Sequence, residues 1–142
     1  MLDHLRQRVI DLLEPTNAVT LSTYGPAGIQ AQVLPSIAQG LSLYVLVPAT
    51  SEHLFNIEQQ HIVVATTAEW QLRGHGRQLS LHEIPPAVLP LSSIQSGDYA
   101  VVEIRPLRLE IGHPNGGGFT ETIDFDNHLS ACADLQDQPI WR

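Results

Sequence analysis

Thr50, Ser51, Glu52 and His53 follow directly on an alternating apolar run that breaks at Pro48. Hydroxyl residues between a strand and a helix start make a natural anion pocket. The free backbone N–H groups and the positive end of the helix dipole point at whatever sits there. The same residues suit a plain helix start, with Ser51 as N-cap and His53 as a solvated first-turn residue. The pattern leaves both readings open. A second cluster, Asp124, Asp126 and His128 with Glu121 nearby, offers oxygen ligands and one imidazole. Acidic strand ends are common in an acidic chain, however, and no metal site is expected. His4, His61, His75, His82 and His113 show neither i, i+4 pairing nor zinc spacing. There is no Gly-x-Ser-x-Gly and no glycine-rich nucleotide loop, so hydrolase and kinase chemistry has no footing.

Composition narrows the partners. The 142 residues carry a net charge of −8, with seven arginines and no lysine. A polyanion such as DNA or RNA is repelled, and no basic stripe exists to receive it. Any phosphate must be held by Arg, His, hydroxyls or backbone N–H groups. Cys132 is the single cysteine, which excludes an intrachain disulfide and a thiolate cluster. No signal-peptide core or membrane-length apolar run is visible, so a soluble, cytoplasmic protein is expected.

Hydrophobic periodicity sets out the elements that must position these groups. Leu2, Leu5, Val9, Leu12 and Leu13 recur at helical spacing over 3–13, and Pro15 stops that helix. Residues 17–23 alternate as a strand; Tyr24–Gly28 is turn chemistry, and 29–34 returns as the second strand of a hairpin. Leu41, Leu43, Val45 and Val47 make one face of a third strand, with Ser42 and Tyr44 on the other. A helix over 52–60 precedes a fourth strand at 61–67 and another at 70–81, where Gly74 and Gly76 mark a bend or close approach. Residues 84–97 read as a connecting loop. The strand 99–112 changes face near Pro106: Val102 and Ile104 are in phase, while Leu107, Leu109 and Ile111 take the opposite parity. A bulge or kink is the economical explanation. Asn115-Gly116 signals a hairpin, and 119–125 is a last strand. The expected fold is mainly β: a single antiparallel, Greek-key-like six-stranded barrel with flanking helices. Its core spans 1–125, and 126–142 is a tail or short helix.

This order of elements resembles the pyridoxamine 5'-phosphate oxidase-like family, the FMN-binding split barrels. The likeness is carried by Ala18–Thr23 with the turn at Gly28, by the third strand leading into Thr50–Ile57, by Trp70–Gly76 and by Val102–Pro106. It covers roughly residues 2–109. The resemblance implies a homodimer with FMN at the subunit interface. The second strand would lie along the flavin ring through Gln30, Gln32, Val33 and Leu34. Thr50, Ser51 and His53 would hold the phosphate, and the strand bearing Arg73 and Arg77 would contribute from near it or from the partner subunit. The family commonly carries an arginine where Gln32 stands and a lysine or arginine where His53 stands. Arg73 or Arg77 is then the candidate to replace that charge. Gln32 could instead face solvent, and Trp70 suits the core or a dimer interface better than ring stacking.

The resemblance implies a flavin-dependent oxidoreductase in which the cofactor carries the redox chemistry; no side chain stands out as a general acid or base. The alternatives are a non-catalytic binding protein for flavin, haem or another planar cofactor, and a degenerate split barrel with a structural role.

Overall fold

A computed structural model describes residues 2–88, 97–112 and 118–125. The expected Asn115-Gly116 turn, Asp126, His128, Cys132 and the tail 126–142 lie outside those residues, as does most of the 84–97 connection. Helix α1 (Leu2–Leu13) opens the chain, followed by β1 (Ala18–Gly25), β2 (Gly28–Gln39) and β3 (Ser42–Pro48). Helix α2 (Glu52–Gln59) then leads to β4 (Ile62–Thr66), β5 (Trp70–Leu79), β6 (Tyr99–Gly112) and β7 (Phe119–Asp124).

All pairings are antiparallel, in the order β3-β2-β1-β4-β5-β6-β7, and a further β3–β6 pairing closes six of the strands into a barrel. The neighbours β3-β2-β1-β4 form a Greek key, with α2 carrying the chain across the barrel end. Closure covers most strand edges; among the described residues the 28–35 half of β2 and the far side of β7 remain without a strand partner.

Alternation along the strands fills the interior. Val19 and Leu21, Leu43, Val45 and Val47, Val63 and Ala65, Leu72, Val102 and Ile104 are all buried in one core. Val9 and Leu13 of α1 and Ile57 of α2 plug it. Each such aliphatic side chain contributes about 1.5–3 kcal/mol by leaving water. Trp70 belongs to this core at 2% exposure.

The face change in β6 is a bulge. Arg73 of β5 pairs with Arg108 and Gly74 with Pro106, so Leu107 is the extra residue. Leu107 therefore leaves the core and lies on the outer face, while Leu109 and Ile111 point in. The bulge is also where β6 changes its second neighbour: residues 99–104 pair with β3, and 108–112 with β7. Gly74 is required opposite it, because a Cβ there would meet the Arg105 carbonyl oxygen at 2.6 Å.

Outside the barrel a smaller apolar cluster forms from Tyr44, Leu46, Leu79 and Val101, capped by Ile84 and Val88 of the segment after β5. Among the described residues no helix is long and apolar enough to cross a membrane.

Candidate functional site

Ser51 is the N-cap of α2, and its hydroxyl accepts the His53 backbone N–H at 3.1 Å. Thr50 is exposed beside it. Glu52 already places a carboxylate in the first turn, where the helix dipole favours it, and Gln30 of β2 donates a side-chain hydrogen bond to that carboxylate. The cap and the dipole of this turn are thus occupied by the chain itself.

His53 is not solvated. It is 2% exposed, under α2, with Nδ1 2.7 Å from the Thr23 hydroxyl. Asn56 Nδ2 donates to the same hydroxyl at 3.0 Å. The Thr23 hydroxyl accepts from Asn56 and keeps one proton and one lone pair, so it pairs with His53 Nδ1 in either ring tautomer. Burial pushes the His53 imidazole below the usual histidine value. Gly25 admits the Asn56 amide, whose Oδ1 would collide with any Cβ at that position. The residue expected to hold a phosphate is a neutral member of a closed network.

The second strand divides at its middle. Leu34 is 3% exposed and belongs to the barrel core, so its side chain cannot lie against a surface ligand. Gln32 and Val33 are exposed, Val33 at 68% and its neighbour Ile29 at 76%. Residues 28–35 pair with β1 on one edge, while β3 takes only residues 36–39 on the other. That second edge of 28–35 has no strand partner among the described residues. Tyr24 and Phe55 are exposed nearby, and a cleft of about 180 Å³ opens between the 26–27 turn, Glu52, Phe55 and Asn56.

The two arginines of β5 lie apart from this turn, on the outer face. Arg77 donates to Glu83 at 3.0 Å and to Glu103 at 3.3 Å. The Glu83 carboxylate is lowered to about 2 by the Ser80 N–H and by Arg77. Glu103 is 7% exposed and also accepts from the Tyr44 hydroxyl at 3.2 Å. Burial, then the Glu103 charge, raises the Tyr44 phenol above its ordinary value. Arg77 shares a cleft of about 420 Å³ with Leu54, Ile57 and Glu58 of α2 and with His61. Arg73 is exposed in a separate groove with Arg108.

The structure thus brings together Gln30, Thr50, Ser51 and His53, while Arg77 is engaged by Glu83 and Glu103 and Arg73 lines the groove with Arg108. A phosphate dianion at the turn would meet Glu52 and a neutral imidazole, with no cation among the described lining residues. The residues of the turn do not fit the FMN phosphate. Thr23, Asn56 and Glu103 were missed as polar centres in the sequence. Thr23 carried a signal, since it shares the buried parity of Val19 and Leu21. The described residues contain no group of three or more His, Cys, Asp and Glu side chains suited to a metal.

No protein-family model matches the chain, and no curated protein matches it in sequence. Solved structures match it in fold. A protein of the pyridoxinephosphate oxidase family from Clostridium acetobutylicum, related to general stress protein 26 of B. subtilis, is 11% identical with a TM-score of 0.61, over 89% of this chain and 95% of that one. An F420 reductase is 17% identical with a TM-score of 0.54, over 70% of this chain and 94% of that one. A heme binding protein from Mycobacterium smegmatis is 17% identical with a TM-score of 0.58, over 87% of this chain and 58% of that one. With its closed six-strand barrel and two helices, the chain has the split-barrel fold of the pyridoxamine 5'-phosphate oxidase-like proteins.

Proposed function

We propose that this split barrel binds a planar aromatic cofactor between two copies of the chain, and that it does so without anchoring a phosphate at the turn before α2. The carrying observation is the half of β2 that has an open edge and exposes Ile29 and Val33. An exposed apolar edge is a liability that a second subunit relieves, and a flat ring against it buries further apolar area. Gln30 and Gln32 supply hydrogen-bonding groups at its border. Planar cofactors are compatible with the fold, since its solved neighbours include an F420 reductase and a heme binding protein.

The reading favours a binding protein over an FMN-dependent oxidoreductase of the pyridoxamine-phosphate-oxidase type. Its reason is the neutral, self-satisfied His53, with Arg77 held by Glu83 and Glu103 and Arg73 in a separate groove. Absorption titrations of the purified full chain with haemin, riboflavin and FMN, together with its mass in solution, test it. The expected result is a dimer that binds haemin or a flavin ring, with FMN no tighter than about twofold over riboflavin. A monomer, or a chain indifferent to all three ligands, overturns the proposal. FMN bound tenfold or more above riboflavin restores the oxidoreductase reading.

A further inference from the structure

We infer that Arg73 and Arg108 form a binding site for a small organic carboxylate on the outer face of β5 and β6, apart from the turn before α2. The two arginines are register partners across the strands. Like charges placed directly opposite repel, so such a pair persists at a cost unless an anion joins it. Among the described residues lining the groove Asp124 of β7 is the one carboxylate, and its one ion pair with a described residue is to Arg108 Nη2, at 3.5 Å. Arg108 Nε is buried with no hydrogen-bond partner. That side chain as a whole is 41% exposed and reaches the groove, while an Nε–H without an acceptor costs stability that an added acceptor would restore. Arg73 makes no hydrogen bond or ion pair with the described residues.

The contrast with the neighbouring arginines is direct. Arg77 and Arg105 share Glu103, and Arg77 also holds Glu83. Glu110, the next acid along the groove face, accepts from Gln71 at 3.4 Å. Among the described lining residues two guanidinium groups face one carboxylate, which leaves one positive charge for a monoanion to balance. The bulge is what builds the site: it inserts Leu107 so that Leu107 and Arg108 both line the groove. Leu107 and Ile62 give the groove an apolar floor, and its volume is about 420 Å³. A planar carboxylate matches the fork of Arg108, and an apolar body behind it covers Ile62 and Leu107.

Benzoate is a suitable probe, followed through the arginine side-chain Nε–H resonances of the isotopically labelled full chain at constant ionic strength. The expected result is a saturable shift of the Arg108 signal with a Kd of about a millimolar, as suits so small a ligand. Arg73→Gln should weaken binding roughly tenfold through loss of a charge-assisted contact. The neutral isostere benzamide should produce no shift. A linear response to benzoate, equal affinity in Arg73→Gln, or equal binding of benzamide overturns the site. Inorganic phosphate binding more tightly than benzoate overturns the carboxylate assignment. Arg108→Gln is the companion variant. Should it not fold, Arg73→Gln decides alone, because Arg73 is exposed and supports no described contact.

Discussion

Around Thr23, His53 and Asn56 the polar groups are neutral and close on one another, whereas around Tyr44, Arg77, Glu83 and Glu103 they are charged and reach the surface. The first group sits beneath α2 and the second on the barrel's outer face under the 80–88 segment. Both satisfy their buried atoms. They differ in what remains for a ligand. The neutral group holds the α2 turn in place and leaves it no cation. The charged group consumes Arg77 and Arg105, whereas Arg73 has no ion pair among the described residues and Arg108 meets Asp124 at 3.5 Å. An anion-binding motif can therefore be present in a chain while the charge that would make it work is located elsewhere.

The comparison can be broken most severely at Thr23. Thr23→Val strips one hydroxyl from a buried network and strands both His53 Nδ1 and Asn56 Nδ2. The expected loss is about 2–3 kcal/mol, seen as a Tm lowered by roughly 10 °C. Thr23→Ser keeps the hydroxyl and should cost about 1 kcal/mol. Glu103→Gln tests the charged group. It keeps an acceptor for Tyr44 but removes the charge facing Arg77 and Arg105, whose side chains are 41% and 28% exposed. Solvent screening limits the loss to about 1–2 kcal/mol in denaturant unfolding.

Acid sharpens the contrast further. The folded His53 value lies below the ordinary 6.5, so below that pH the unfolded chain binds the extra proton and the folded chain resists it. Stability from this group is complete above about pH 6.5. It is lost as the pH falls from there towards the folded value. His75 is lowered as well, chiefly by burial and then by His61, Arg105 and Arg77, and acts with the same sign. Unfolding measured between neutral and mildly acidic pH should show the decline in His75→Gln too, at reduced slope. A flat profile in that variant would assign the whole effect to His75. Arg73→Gln is the smallest case: with no partner to lose, stability should stay within about 0.5 kcal/mol by the same assay.

Much of the fold was legible because strands buried on one face alternate. Val19 and Leu21, or Leu43, Val45 and Val47, announce their inward side without help from the rest of the chain. The parity change at Pro106 predicted the bulge, although Leu107 proved to be the inserted residue and not a core one. The site was harder to read. Gln30, Gln32 and Leu34 share a parity, yet the first meets α2, the second meets solvent and the third enters the barrel. Where a strand crosses the rim depends on its neighbours' register, which no local pattern records. His53 looked solvated for a related reason: a first-turn residue is exposed unless something packs over it, and here α2 lies against the end of β1. Arg108 gained its place beside Arg73 only through pairing across the bulge.

The claim that the turn before α2 is chemically closed can be read directly from His53. Side-chain NMR of the labelled full chain should show a neutral imidazole at pH 7. It should titrate below 6.5 and be unmoved by added FMN or inorganic phosphate. A His53 that titrates at or above 6.5, or whose titration rises when either anion is added, would contradict the account.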